Sequence, residues 1–71
     1  MVKKNVIDID KLYYELKREI LDNIKNKKID TVVLANNMNM SVDKFNYYMD
    51  NNDNDFSIYL DMIKLVKAWE E

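Results

Sequence analysis

Few side chains in this chain are equipped for chemistry, and most of the usual chemistries can be set aside at once. Of 71 residues, none is histidine, cysteine or glycine. That removes the commonest general base and metal ligand, the thiolate nucleophile, and every glycine-rich phosphate loop. Thr31, Ser41 and Ser57 carry hydroxyls, yet no base or lysine stands in a motif with them, so nucleophilic catalysis is not expected. Asp53 and Asp55 open like a calcium loop, but no glycine or bidentate glutamate follows at the required spacing. The chain is therefore read as a non-enzyme with no metal, cofactor or small-molecule ligand. What remains is contact chemistry. Lysine suits guanine or phosphate, asparagine suits adenine, and an exposed tyrosine suits either a base face or a protein surface. Lys44, Asn46 and Tyr47 are the candidates for these roles. Lys25, Lys27 and Lys28 are candidates for phosphate, with a plain solvated face as the alternative.

Those residues need elements to position them. Residues 1–9 read as a short N-terminal arm, with Lys3 and Lys4 near its start. Asp8 or Asp10 can N-cap a helix over 10–27, where Leu12, Tyr13, Leu16, Ile20 and Ile24 recur on one face. Asp30 can cap a short helix over 30–38 that turns Leu34, Ala35 and Met38 inward. A strand is the rival there, since Ile29 to Leu34 is rich in β-branched residues. Asn36 to Asn39 forms a turn, and Asn39 is suited to a left-handed backbone. Ser41 caps a helix over 41–50 with Val42, Phe45, Tyr48 and Met49 on its apolar side. The polar run 51–55 is a loop. Asp55 then caps a helix over 55–70, with Phe56, Tyr59, Leu60, Ile63, Val66 and Trp69 as its stripe. The expected fold is all-α: a small four-helix domain containing a helix-turn-helix.

Composition sets the wider bounds. With 48% hydrophobic and 34% charged residues, the chain describes one small globular domain. Its longest uncharged apolar run, Val32 to Ala35, is far short of the roughly 20 residues a bilayer needs. No signal-peptide pattern is visible, so a cytoplasmic, membrane-free location is expected. Phe, Tyr, Met, Ile, Asn and Lys supply 39 residues, against three for Gly, Ala, Arg and Pro together. That codon signature points to an A/T-rich bacterium, or to a phage or plasmid living in one. The net charge of −2 hides an asymmetry: residues 1–28 carry eight cations against five acids, and the remainder is acidic.

Residues 29–48 carry a further pattern. Leu34-Ala35 supply a hydrophobic-Ala pair, Ala keeping two crossing helices close. Met40, Ser41, Phe45 and Tyr48 follow as a hydrophobic, a helix cap and two inward residues. With Asp61 to Trp69 as the following helix, residues 12–69 resemble the helix-turn-helix domain of the Cro/C1-type repressor family. The resemblance implies DNA binding by the helix over residues 42–50. Thr31, Ser41, Val42, Lys44, Asn46 and Tyr47 would then lie at the DNA, with Lys25, Lys27 and Lys28 on phosphates. The chain departs from the family at several positions. Asn39 stands where the turn glycine belongs, Thr31 stands where Gln is usual, and Val32 and Val33 are apolar where the family is polar. Asp43 and Asp50 also place negative charge on the reading helix.

Two functions follow. The first is a small DNA-binding transcriptional regulator, dimeric through a seam on the C-terminal helix at Met62 and Trp69. The second is a protein-binding module of inhibitor or antirepressor type. It would reuse the same scaffold through its acidic face or through Val32, Val33 and Tyr47, without DNA.

Overall fold

In the computed structural model, which describes residues 8–70, every helix begins on a small polar or acidic residue placed just before an apolar periodicity. Four helices result: α1 (Ile9–Lys27), α2 (Thr31–Asn37), α3 (Val42–Asp50) and α4 (Phe56–Ala68). No strand occurs among the described residues, so the strand alternative at Ile29 to Leu34 gives way to α2. The arm over residues 1–7, with Lys3 and Lys4, lies outside the described residues.

The caps follow the local chemistry. Asp8 accepts the Lys11 N–H at 3.2 Å, Asp30 accepts the Val32 N–H at 2.9 Å, and Ser41 Oγ accepts the Lys44 N–H at 3.1 Å. Each satisfies a donor the helix cannot. Asp55 departs from this pattern. It occupies the N-cap position of α4, but its side chain makes no bond to the helix backbone and accepts from Ser57 Oγ at 2.6 Å instead.

With no glycine available, two other residues take the left-handed turns. Asn39 has φ 58°, as expected. Lys28, at φ 55° and ψ 47°, ends α1, and the next N–H, that of Ile29, bonds back to the Ile24 carbonyl at 3.0 Å. This closure normally employs glycine, because a side chain there clashes with its own backbone. The compensation is burial of Ile29, which is 6% exposed.

Helix α1 lies along α4, and α2 packs on α3. The α1–α4 pair is parallel. Near its start the Tyr13 ring meets Phe56 and Tyr59 edge-on at 5.4 and 5.3 Å. Towards its end Glu19 pairs with Lys67 at 3.4 Å, and Lys27 reaches the last carbonyls of α4. A parallel pair requires a return path, which α2 and α3 provide. Tyr59, Ile20, Leu34, Met62 and Val66 fill the space between the two pairs and are fully buried.

Three core assignments change. Met62 is completely buried and cannot form a dimer seam, because i−3 and i+4 spacing puts it beside Tyr59 and Val66 on the inward stripe. Leu12 and Leu60, expected inward, are 37% and 43% exposed, since each helix buries a narrower face than its apolar content suggests. Trp69 is half-buried against the core.

Candidate nucleic-acid interface

The α2–α3 unit is assembled from its small residues outward. Ala35 is 1% exposed, leaving room for α3 to approach, and Leu34, Phe45 and Tyr48 share the same buried core. The connecting turn is held by the Met40 N–H on the Ala35 carbonyl and the Asn39 N–H on the Asn36 carbonyl, both at 3.0 Å. Asn39 in left-handed geometry lets those two bonds form in succession.

This packing leaves Asp43, Lys44, Asn46, Tyr47 and Asp50 exposed along α3, while Val42 is only half-exposed. Ser41 is exposed at the head of α3, and Thr31 is half-buried at the first position of α2. The exposed groups on α3 already engage one another. Lys44 Nζ lies 5.2 Å from the Tyr47 ring centroid and 5.3 Å from that of Tyr48. The Tyr47 hydroxyl donates to Asp53 Oδ1 at 3.1 Å. That bond and the nearby carboxylate charge raise the Tyr47 pKa above its usual value, because the phenolate would face an anion.

The three lysines near the α1–α2 corner separate. Lys27 donates to the Val66 and Lys67 carbonyls at 2.9 and 2.8 Å, so it caps the C-terminus of α4 and is withdrawn from phosphate contact. Lys25 is exposed on the outer side of α1, on the stripe that carries Tyr14 and Leu21. Lys28 is exposed beside the start of α2. Of the nine residues expected at DNA, Ser41, Lys44, Asn46 and Tyr47 come together on or at the head of α3. Val42, at the first position of α3, is half-buried against the core; Thr31 and Lys28 lie at the head of α2, and Lys25 and Lys27 lie elsewhere.

A second cluster, not expected from the sequence, anchors the loop after α3. The Tyr59 hydroxyl shares its proton between the Tyr48 and Asn51 carbonyls, both at 2.8 Å, and accepts the Asp53 N–H at 3.2 Å. Tyr13 donates to the Asp53 carbonyl from 40 positions away. The Asp53 carboxylate takes Tyr47 on one oxygen and the Asp55 N–H, at 2.9 Å, on the other. Both oxygens are thus occupied by protein donors. Burial is the main cause that raises the Tyr59 pKa. The only signal in the sequence was an Asn/Asp-rich loop with tyrosines on either side, which does not reveal which of them point inward.

No helix among the described residues is long and apolar enough to cross a membrane. No protein-family model matches the chain, and comparisons with curated proteins and with solved structures give no match.

Proposed function

We propose that this chain is a small DNA-binding regulator of the Cro/C1-like kind that lays α3 in the major groove. Its setting is a phage, a plasmid or an A/T-rich bacterial genome, and its place of action is the cytoplasm, where that DNA is. The observation that carries the reading is the exposure of Lys44, Asn46 and Tyr47 together on α3, on the side turned from Leu34 and Ala35. Asn46 suits a bidentate contact to adenine, and Lys44 suits guanine or phosphate. The hold of the two tyrosine rings on Lys44 is worth about 0.5–1 kcal/mol at an exposed site, below the roughly 1–3 kcal/mol of a good base contact. Lys44 therefore transfers to DNA at little cost. Ser41 stands at the N-terminus of α3, where the backbone N–H groups not taken by its own cap favour phosphate, and Lys28 adds a cation.

Fluorescence anisotropy with the gene's own upstream duplex and a scrambled control tests this. Each phosphate contact contributes about −0.9 to the slope of log K against log salt. Lys28 and Lys44 in one protomer predict an affinity loss of roughly tenfold between about 50 and 200 mM salt, and in a dimer roughly a hundredfold. Preference for the native duplex with such a slope supports the reading. No binding at low salt overturns it.

A protein-binding module is the second reading, and specific observations favour it. Asp43 and Asp50 are exposed on α3, Asp53 holds Tyr47, and Val32 and Val33 are 50% and 43% exposed on α2. An acidic and apolar surface of this kind suits an inhibitor or antirepressor. A host protein retained by the immobilised chain, and lost on Asp43→Asn with Asp50→Asn, would establish it.

A further inference from the structure

The outer side of α1 carries a stripe turned away from the core: Asp10, Tyr14, Leu21 and Lys25, separated by four, seven and four residues. Tyr14 is 62% exposed and Leu21 46%. Together with Met49 of α3 they line an open groove whose other walls are Lys17, Arg18 and Asp22. Single exposed apolar residues are ordinary on a small protein. The symmetry of these four is not. Tyr14 and Leu21 are centred between residues 17 and 18, and so are Asp10 and Lys25. A two-fold axis crossing α1 at that point lays a second α1 antiparallel on the first. Tyr14 then falls opposite Leu21 of the second copy, and Asp10 opposite Lys25 of the second copy. Each pair occurs twice, as an isologous interface requires.

The centre of the stripe holds Lys17 and Arg18, which would repel their counterparts if left bare. Arg18 is paired with a carboxylate of its own chain, and Lys17 is drawn to a neutral acceptor and a ring face. Lys17 Nζ donates to Asn52 Oδ1 at 2.6 Å and stands 6.0 Å from the Tyr59 ring centroid. Arg18 Nε stands 3.8 Å from Asp22 Oδ2. Asp10 and Lys25 have no ion-pair partner among the described residues; one Asp10 oxygen accepts from Asn52 Nδ2 at 3.3 Å, which leaves its negative charge unneutralised. At the two ends of the stripe, the unneutralised charges of Asp10 and Lys25 are opposite in sign and match across the two-fold axis. We propose that the chain forms an antiparallel homodimer through this α1 stripe. The proposal holds whether α3 meets DNA or a protein.

Sedimentation of the full chain over a wide concentration range tests it, with far-UV circular dichroism confirming helicity. The wild type is expected to show a concentration-dependent dimer. Leu21→Glu removes two symmetry-related contacts and raises the dimer dissociation constant about a hundredfold. Lys25→Asp sets two aspartates face to face at each end and weakens the dimer about tenfold, more at low salt. Asp10→Lys combined with Lys25→Asp restores it. That rescue cannot arise from structural damage, so it decides the matter even if Leu21→Glu proves poorly folded. A wild type that stays monomeric at millimolar concentration overturns the proposal, as does a dimer indifferent to the charge swap.

Discussion

Replacing Tyr59 by Phe isolates the contribution of one hydroxyl to the architecture behind α3. The ring stays, so its edge-on contacts with Tyr13 at 5.3 Å and Tyr48 at 5.8 Å are retained and no cavity opens. What goes is the oxygen that serves the carbonyls of Tyr48 and Asn51 and the N–H of Asp53. A hydrogen bond contributes a net 0.5–1.5 kcal/mol, and a buried group left without a partner costs about 1–3 kcal/mol. The Tyr48 end of this set is buried, while the Asn51 and Asp53 ends are reached by water, so the expected loss is about 1–2 kcal/mol. A chain of this length has a total stability of roughly 4–10 kcal/mol, which makes the effect a large fraction. At about 4–8 °C per kcal/mol for a domain of this size, Tm should fall by roughly 5–15 °C in thermal unfolding followed at 222 nm. Tyr13→Phe removes one bond to the Asp53 carbonyl and should cost less, about 0.5–1 kcal/mol. If Tyr59→Phe melts within about 2 °C of the wild type, the hydroxyl does not anchor the loop and the reasoning is refuted.

Further predictions follow from the same geometry. Lys28→Gly relieves a left-handed lysine and should stabilise the fold by about 0.5–1 kcal/mol in urea unfolding, while lowering DNA affinity by one phosphate contact. Asn39→Gly, at a residue that tolerates that backbone, should change stability by only a few tenths of a kcal/mol. Tyr47 and Tyr59 both have pKa values raised above 10.0 in the folded chain. Their neutral forms are thus favoured by folding, and this contribution is complete below pH 10 and lost as pH rises through the folded values. Stability should fall on that alkaline side, and Tyr47→Phe or Tyr59→Phe should reduce that fall. Asp43→Asn with Asp50→Asn should raise nonspecific DNA affinity several-fold in anisotropy by removing repulsion from phosphate.

The parts of this structure that could be read from the sequence are those fixed within a few residues. Asp30 and Ser41 cap because an oxygen there reaches the N–H groups two or three positions on. Asn39 turns because its side chain tolerates a left-handed backbone. Leu34, Ala35, Phe45 and Tyr48 turn inward because helical spacing requires it. Long-range partners left no such trace. Lys27 has the composition of a phosphate contact, and only the arrival of the α4 terminus 39 positions later makes it a cap. Placing Leu60 and Ile63 on the inward stripe of α4 leaves Met62 for a surface seam, whereas the structure buries Met62 and exposes Leu60. The choice between these registers depends on α1, which lies outside the local pattern. Lys28 reads in sequence as an ordinary cation; its left-handed conformation accompanies the burial of Ile29 next to it. For the candidate interface, the residue types on α3 were legible. The engagement of Tyr47 by Asp53 was not, because the fold of the 51–55 loop is set by Tyr13 and Tyr59.

The central claim, that α3 is the surface that meets DNA, is tested most directly by titrating the ¹⁵N-labelled chain with its upstream duplex and following backbone amide shifts. The account predicts changes concentrated at Thr31 and from Ser41 to Tyr47, together with Lys28, and little change along the exposed side of α4 at Leu60 and Lys64. Shifts confined to α1 or α4, or a spectrum unaltered by excess duplex at low salt, would contradict it.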